Sequence, residues 1–195
     1  MSLIPAFEIG VWNAWIIQVL IFLMIIMPDW FLGKEARGKT KRATEPIPLS
    51  KTNKRLTLST HVVIMPLVFI YSIFVPLKLG TAWFYTSLPI LAIAAVMTIM
   101  TTINFAATPL IEPVTKGIYR ISRHPIYFGA FLFYLGMGIA TASWVLLLFA
   151  LAWIIIWVIV IPAEERFLLE KYGDSYREYI NRTPRWIGLP KAKAG

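Results

Sequence analysis

The sequence predicts an all-α, polytopic integral membrane protein with five transmembrane helices. Hydrophobic residues make up 58% of the chain and charged residues only 15%, whereas about a quarter of an average soluble domain is charged. The mean hydropathy is +0.68. Long apolar runs alternate with polar segments that carry nearly all of the basic residues. The 195 residues are expected to form a single membrane domain, residues 1–195.

The same composition excludes several kinds of site. There is no cysteine, which excludes disulfides, thiolate metal ligands and a cysteine nucleophile. The two histidines, His61 and His124, are too few for a multi-histidine metal site, so no metal is predicted. The net charge of +9 would suit nucleic acid, but its distribution indicates membrane topology. We therefore predict the lipid bilayer as a partner and no nucleic acid.

Each transmembrane helix is predicted from an apolar run and the residues at its ends. In the first run, Asn13 and Gln18 are expected to hydrogen-bond to a neighbouring helix, and Pro28 is expected to end the helix. Pro66 is expected to kink the second helix. His61, near the basic end of that helix, is interpreted as an interfacial or packing residue. The predicted spans are residues 9–27, 56–77, 83–103, 125–140 and 144–162.

The last two spans come from one uncharged stretch, residues 124–163. One crossing needs about 20 residues, so this stretch is too long for a single transmembrane helix. A break is predicted at residues 141–144, which makes the stretch a helical hairpin. Gly129, Gly136 and Gly138 are expected to let the two helix backbones approach closely.

The positions of the basic residues predict the orientation. Of the 19 lysines and arginines, all but Lys78 lie in residues 28–55, in residues 116–123 or after residue 164. Five crossings place these three segments on one side together with the C-terminus. By the positive-inside rule that side is the cytoplasm, and the N-terminus is outside. The segment 28–55 is interpreted as a topology-setting loop or as a basic arm on anionic headgroups.

A polar island at residues 117–129 is the first candidate for chemistry, because polar groups beside a bilayer are costly without partners. Five spans bring this island to the same hairpin mouth as Glu164 and Glu165. Carboxylates can hold a cation such as a sulfonium, arginines can hold an anion, and His124 can move a proton. The alternative is structural, since Arg123 and a glutamate could be a salt bridge that clamps the hairpin.

An ordered set of short motifs follows from residue 117 onward, interrupted by a hairpin-length apolar run. The motifs are Gly117-Ile118-Tyr119, Arg123-His124-Pro125-Ile126-Tyr127 with Gly129, Glu164-Glu165, Leu169, Tyr172-Gly173, Tyr176 and Tyr179. This set resembles the C-terminal core of the isoprenylcysteine carboxyl methyltransferase family, with its phospholipid methyltransferase relatives. The chain would be a prokaryotic, integral membrane member.

The resemblance implies a methyltransferase that uses S-adenosylmethionine, gives S-adenosylhomocysteine as product and has no Rossmann domain. The cofactor pocket would lie on the cytoplasmic side in a core of residues 111–186, closed by the hairpin and the C-terminal helical segment. The residues implied to bind the cofactor are Ile111, Glu112, Pro113, Val114, Tyr119, His124, Pro125, Ile126, Tyr127, Glu164 and Glu165. The candidate catalytic residues are Arg120, Arg123 and His124. A lipophilic acceptor, prenylated or phospholipid, would enter from the bilayer between helices.

The function implied by the resemblance is methyl esterification of the carboxylate of an isoprenylcysteine-type substrate. One departure concerns an arginine that precedes the glutamate pair by about a turn in eukaryotic members and is thought to hold the substrate carboxylate. The corresponding position here is about Val160, so Arg120, Arg123 or Arg166 would have to replace it, or the acceptor differs. Phospholipid N-methylation, an NADPH-dependent sterol-type reductase and a non-enzymatic membrane scaffold are the alternatives.

Overall fold

A computed structural model gives the fold and describes residues 8–31, 34–40 and 48–189. Its helices are α1 (Trp15–Phe31), α2 (Lys34–Thr40), α3 (Lys51–Ser59), α4 (Met65–Ile73), α5 (Ala82–Ala107), α6 (Pro125–Ala140), α7 (Trp144–Tyr172) and α8 (Asp174–Arg182). A π-helical turn, Thr60–Ile64, joins α3 to α4, and a 3₁₀-helix, Gly117–Arg120, precedes α6. No strand occurs in the described ranges, which confirms the all-α prediction for them.

Three helical segments are long and apolar enough to cross a membrane. They are Lys51–Ile73, which runs from α3 through α4, and the helices α5 and α7. Two shorter apolar segments, Trp15–Met24 in α1 and Pro125–Ala140, occupy the positions of the other two predicted spans. The 29 residues of α7 extend about 43 Å, whereas the hydrocarbon core is about 30 Å thick. The charged end of α7, from Glu164 onward, therefore extends beyond its apolar part.

Prolines interrupt these helices less than the sequence suggests. The prediction that Pro28 ends the first helix is wrong, because α1 continues to Phe31. Pro89 and Pro162 also lie inside α5 and α7. Transmembrane helices tolerate proline, because neighbouring groups satisfy the carbonyl that loses its N–H donor. The disturbance predicted at Pro66 takes the form of the π-helical turn directly before it.

The basic segment between the first two spans contains more helix than expected. Within it, α2 packs against α5, and α3 begins at Lys51, before the predicted start of the second span. Ser50 caps α3, since its hydroxyl accepts a hydrogen bond from the backbone N–H of Asn53 (3.2 Å).

Helices α5, α6 and α7 pack side by side through the glycines of α6. A Cβ atom on Gly138 would lie 2.7 Å from the side chain of Leu147, so Gly138 permits the close approach of α6 to α7. A Cβ atom on Gly136 would instead lie 2.8 Å from Leu91 on α5. The prediction that the α6 glycines all serve the hairpin is therefore correct for Gly138, whereas Gly129 and Gly136 face α5.

Three chain segments meet at the end of the bundle where the hairpin turns. The backbone N–H of Ala14 donates to the carbonyl oxygen of Val75 (2.9 Å), which joins the start of α1 to the turn after α4. The backbone N–H of Lys78 donates to the carbonyl oxygen of Ala140 (2.9 Å), so that turn also contacts the hairpin turn. The side chain of Asn13 donates to the carbonyl oxygens of residues 8 and 73, as expected for interhelical bonding.

Gln18 was predicted to hydrogen-bond to a neighbouring helix, and His61 was predicted to be an interfacial or packing residue. Gln18 is buried, but its side-chain oxygen has no hydrogen-bond partner among the described residues. His61 lies against the surface of α7, with its ring centroid 6.2 Å from that of Trp153 and 6.0 Å from that of Trp157. Its Nδ1 is 2.8 Å from the carbonyl oxygen of Thr57. These contacts agree with the interpretation of His61 as a packing residue.

Candidate active site

The loop between α5 and α6 carries the polar island and is fixed from two sides. Its 3₁₀-helix, Gly117–Arg120, begins at a glycine with φ of +61°, a conformation that favours glycine. From α5, the side-chain oxygen of Asn104 accepts a hydrogen bond from the backbone N–H of Ile118 (3.1 Å). From α8, the hydroxyl of Tyr179 donates to the carbonyl oxygen of Tyr119 (2.7 Å). The loop therefore reaches α6 in a defined conformation.

His124 ends this loop and lies between two carboxylates. Pro125 begins α6, and the residue before a proline is disfavoured from helical geometry, so His124 stays outside the helix. Its backbone N–H donates to the hydroxyl of Ser122 (3.2 Å). The ring is 3% exposed, with Nε2 at 3.2 Å from Oε1 of Glu165 and Nδ1 at 3.6 Å from Oε2 of Glu164. Because an ionised carboxylate only accepts, Nε2 is the nitrogen that donates to Glu165.

Glu165 is a buried carboxylate that joins three segments of the chain. Its Oε1 is 2.8 Å from Nη1 of Arg123, in the loop before α6, and accepts from Nε of Arg185 (3.2 Å), after α8. Its Oε2 accepts from Nη2 of Arg185 (2.6 Å). Burial raises the pKa of Glu165, but the hydrogen bonds from His124 and Arg185 and the charge of Arg123 outweigh it, and the pKa falls to about 2. Glu165 is therefore ionised at neutral pH.

Glu164, the preceding residue, has the opposite environment. Its Oε2 is buried and has no hydrogen-bond partner among the described residues. Burial raises the pKa of Glu164 and outweighs the opposing influence of His124 and Tyr127. A buried polar atom without a partner is costly and requires an explanation. A positively charged or hydrogen-bond-donating ligand would supply the missing partner.

A cavity of about 130 Å³ adjoins this cluster. Its polar wall consists of Arg123, His124 and Glu164, and Ile126, which is 41% exposed, lies at its margin. The rest of the lining is mostly aromatic and comprises Phe105, Pro113, Val114, Tyr119, Tyr127, Phe167, Leu168, Tyr172, Tyr176 and Tyr179. Aromatic faces and a carboxylate both attract organic cations, so the cavity is chemically suited to one.

The aromatic wall is held by stacking and burial. The ring of Tyr127 stacks on that of Trp157, with centroids 3.9 Å apart and planes 12° apart, and the ring of His124 lies 5.9 Å from Tyr127 on a similar plane. Burial raises the pKa of both Tyr176 and Tyr179, which also line the cavity, so their phenols stay neutral. Among the described residues that line the cavity, the ionisable groups of Arg123, His124 and Glu164 therefore lie beside a mostly aromatic lining.

The part of the chain that builds this cavity matches a known family. Residues 83–175, from α5 to the start of α8, match the sequence model of the family described as Phospholipid methyltransferase. This range includes the loop before α6, both helices of the hairpin and the two glutamates. This part of the chain is therefore similar to the phospholipid methyltransferase family. The resemblance predicted from the sequence motifs is thereby confirmed.

Several proteins that are similar to part of this chain are named for different roles. A protein-S-isoprenylcysteine O-methyltransferase of Schizosaccharomyces pombe is 39% identical over 80 residues, which are 39% of this chain and 33% of that protein. The cobalt-zinc-cadmium resistance protein CzcN of Cupriavidus metallidurans is 40% identical over 75 residues, 38% of this chain and 34% of that protein. Methanethiol S-methyltransferase 1 of Bradyrhizobium diazoefficiens is 38% identical over 73 residues, 37% of this chain and 25% of that protein. The chain thus spans about a quarter to a third of these relatives.

Most of the residues that the sequence analysis predicted for the site line the cavity. Those that line it are Pro113, Val114, Tyr119, Arg123, His124, Ile126, Tyr127 and Glu164. The other predicted residues do not line it: Arg120, Ile111 and Glu112 are exposed, Pro125 is buried at the start of α6, and Glu165 belongs to the ion cluster behind His124. Their roles stay predictions.

Seven residues at the site were not predicted to belong to it. Phe105, Phe167, Leu168, Tyr172, Tyr176 and Tyr179 line the cavity, and Arg185 binds Glu165. Phe167 and Leu168 lie three and four positions after Glu164, a spacing that places all three on one helix face. The three tyrosines belong to the motifs that carry the family resemblance. No local pattern indicates Arg185, because its contact depends on how the chain returns after α8.

Three arginines were candidates to replace the arginine that eukaryotic relatives have near position 160. Val160 itself is 1% exposed and lies in the hydrophobic core. Arg120 and Arg166 are both exposed, whereas Arg123 is partly buried and lines the cavity. The Nε atom of Arg123 is buried and has no hydrogen-bond partner among the described residues. Arg123 is therefore the one of these three candidates that the structure brings to the cavity.

Proposed function

We propose that the protein is an S-adenosylmethionine-dependent membrane methyltransferase that methylates the carboxylate of a lipid-like, isoprenylcysteine-type acceptor. The observation that carries this proposal is a buried oxygen of Glu164 that accepts no hydrogen bond from the described residues, in an aromatic cavity within the part of the chain that matches a methyltransferase family. A carboxylate in that setting gains most from a cationic ligand. The names of the similar isoprenylcysteine and methanethiol methyltransferases support methyl transfer as the reaction class.

The chemistry of the cavity fits the proposed cofactor. When bound, S-adenosylmethionine would supply a methyl group that is already activated by its sulfonium. Glu164 would hold the positively charged part, and the aromatic side chains of the lining would attract the same charge. The lining of Phe105 and Phe167 would exclude water from the reacting atoms. Glu165 already contacts Arg123, His124 and Arg185, so it would act on the site by holding them.

The acceptor is proposed to meet the cavity at Arg123. Its Nη1 binds Glu165, but its Nε–H has no hydrogen-bond partner among the residues that the structure describes, so the guanidinium retains a donor for an anionic group. An ionised carboxylate is already a nucleophile, so its methylation requires orientation and exclusion of water more than a proton acceptor. An amine acceptor would need a base, and His124 would be the candidate because its ring lies at the cavity.

The proposed membrane arrangement retains five crossings in one domain, with the cavity and the C-terminus in the cytoplasm and the N-terminus outside. The contacts of residues 12–14, 75–78 and 140 at one end of the bundle support an N-terminus opposite the cavity. With five crossings, all of the lysines and arginines except Lys78 would fall on the cavity side, as the positive-inside rule requires for a cytoplasmic face. The acceptor would then reach the cavity sideways from the bilayer.

Transfer of labelled methyl groups tests the proposal. The purified protein is incubated with S-adenosylmethionine labelled in the methyl group and with a panel of prenylcysteine analogues, short thiols and ethanolamine phospholipids. We expect base-labile methyl esters on the prenylcysteine analogues and no label on the other classes. Label on the thiols or phospholipids alone would support S-adenosylmethionine as the cofactor but would overturn the proposed isoprenylcysteine-type acceptor. Absence of label on all of them, with NADPH-dependent reduction of a sterol, would overturn the reaction class.

A further inference from the structure

The segment that follows α8 crosses the loop before α6 and binds its backbone. We call residues 183–188 the C-terminal strap. The N–H of Arg123 donates to the carbonyl oxygen of Pro184 (3.0 Å), and the N–H of Gly188 donates to the carbonyl oxygen of Ile121 (3.0 Å). These two bonds lie on opposite sides of position 185. The strap is therefore fixed against the loop that carries the cavity's cationic groups.

Arg185 extends from the strap to the carboxylate of Glu165. Its Nη2 donates to Oε2 (2.6 Å) and its Nε donates to Oε1 (3.2 Å), which is a two-pronged contact. Oε1 also contacts Arg123 and His124, whereas Arg185 is the contact that Oε2 makes among the described residues. The rotation of the Glu165 carboxylate about its long axis is therefore set by Arg185. Trp186, the next residue, anchors this part of the strap in the main hydrophobic core.

We propose that Arg185 is a positioning residue of the site, which fixes the Glu165 carboxylate so that Glu165 holds Arg123 and His124 at the cavity. Arg185 does not line the cavity, so it acts through Glu165. The proposal rests on the proposed function, because it assigns Arg185 a part in methyl transfer. A lysine at this position would keep the charge but lose the planar fork that contacts both oxygens.

The charged and titratable groups around Glu165 come from four elements. Arg123 and His124 approach from the loop before α6, and Arg185 approaches from the strap. Glu164 is its neighbour on α7, and Tyr176 approaches from α8. Removal of Arg185 takes away one of the cationic groups that keep Glu165 ionised, while the repulsion from Glu164 remains. Glu165 would then bind a proton at a higher pH than in the wild type.

The kinetic test compares Arg185→Gln and Arg185→Lys with Arg182→Gln. Arg182, near the end of α8, pairs with Glu178 at 3.6 Å on the surface and is the matched control. We expect Arg185→Gln to lower kcat for methyl transfer by about 10- to 100-fold, because a small misplacement of reacting groups has effects of this size. KM for the cofactor should change less than kcat. Arg185→Lys should recover part of kcat, and Arg182→Gln should match the wild type.

The pH test is independent of the methyltransferase activity. The thermal midpoint of unfolding is measured between pH 7 and pH 3 in detergent for the wild type, Arg185→Gln and Arg182→Gln. We expect the stability contributed by ionised Glu165 to be smaller in Arg185→Gln, so its thermal midpoint should fall less below pH 4.5 than that of the wild type, whereas Arg182→Gln should follow the wild type. The acid limb of the kcat/KM profile, which reports the folded enzyme, should move to higher pH in Arg185→Gln.

The two tests separate the positioning proposal from the proposed function. A wild type that folds and transfers no methyl group overturns the function, and the unfolding curves then decide whether Arg185 controls Glu165. Wild-type kinetics and an unmoved acid limb in Arg185→Gln would overturn the positioning role. A loss of kcat that Arg185→Lys does not relieve, with the acid limb unmoved, would also overturn it, since that is the result of lost packing in the strap.

Discussion

The two ends of the α6–α7 hairpin are built from different chemistry. At the turn, Ala140 to Trp144 carries no charge, and Gly138 lets the helices close against each other. At the mouth, His124, Glu164 and Glu165 carry ionisable groups around a cavity. The two ends therefore have different roles, because the turn holds the two helices together and the mouth carries the ionisable groups of the site. Substitutions at the two ends should therefore affect different measurements.

The mouth itself contains a second contrast, between its two adjacent glutamates. Glu165 contacts Arg123, His124 and Arg185 and joins three chain segments, whereas Glu164 lines the cavity and has a buried oxygen that lacks a hydrogen-bond partner among the described residues. In the sequence motif, the two glutamates are simply adjacent and cannot be told apart. Their environments indicate that Glu165 stabilises the fold at the mouth and that Glu164 serves the ligand.

The largest effect is expected from Glu165→Gln. Removing one partner of a buried ion pair costs about 3–5 kcal/mol, and we expect about 3 kcal/mol here because Arg185 is 44% exposed and solvent screens it. Unfolding in detergent, followed by circular dichroism, measures this loss. A Glu170→Gln variant, on the exposed face of α7, is the control and should match the wild type.

The stability lost in Glu165→Gln should depend on pH, because the pKa of Glu165 is about 2 in the folded protein against an ordinary value of 4.5. A lowered carboxyl pKa contributes stability that is complete above pH 4.5 and is lost as the pH falls toward 2. The difference in stability between the wild type and Glu165→Gln should therefore narrow on acidification through that range. A difference that stays constant down to pH 2 would contradict the assigned ionisation.

Glu164→Gln should have the next largest effect, confined to function. We expect methyl transfer to fall by about 100-fold, or roughly 2.7 kcal/mol, because the cationic ligand loses its charged partner. The unfolding midpoint should stay the same or rise, since a buried carboxylate with a raised pKa is removed. Rates and melting curves of the same preparation measure both. A marked loss of stability with unchanged turnover would reverse the roles of the two glutamates.

Gly138→Ala tests the turn end of the hairpin. The added Cβ would lie 2.7 Å from Cδ2 of Leu147 and 3.0 Å from its backbone nitrogen, so α6 and α7 must move apart. Overpacking of this kind costs about 1–3 kcal/mol. The folded fraction should bind cofactor normally, because the cavity lies at the other end. Gly38→Ala, whose Cβ would meet nothing within 4 Å, is the control for the glycine substitution.

Tyr71→Phe should have the smallest effect. The Tyr71 hydroxyl hydrogen-bonds to that of Ser143 (3.0 Å), which ties α4 to the hairpin turn. Loss of one such bond costs about 1 kcal/mol. Chemical denaturation should detect this change, with turnover unaffected. Tyr85→Phe is the matched control because Tyr85 is 59% exposed, and an equal loss in both variants would mean that the bond to Ser143 contributes nothing.

The features of the fold that depend on local pattern were predictable from the sequence. The uncharged stretch and its break gave the hairpin with α6 from Pro125 to Ala140 and α7 beginning at Trp144, as observed. Gly173, which lies in one of the quoted motifs, separates α7 from α8 with a φ of +58°, a conformation that favours glycine. The extension of α1 past Pro28 was not predicted, because the effect of a proline on a membrane helix depends on neighbouring groups.

The site could be predicted only where its residues lie in motifs. His124 and Glu164 were correctly brought together because a hairpin returns the chain to the same end. The division of labour between Glu164 and Glu165 was not predictable, since it depends on which face of α7 each side chain occupies and on what covers it. Arg185 was missed for the same reason, because its contact with Glu165 depends on the path of the C-terminal strap.

Calorimetric titration tests the central claim, that the Glu164 cavity binds a methyl-transfer cofactor. S-adenosylhomocysteine and NADPH are titrated separately into the wild type and into Glu164→Gln in detergent. We predict micromolar binding of S-adenosylhomocysteine by the wild type, binding about tenfold weaker (roughly 1.4 kcal/mol) by Glu164→Gln, and no binding of NADPH. Binding of NADPH alone, or of neither compound by a folded wild type, would contradict the account.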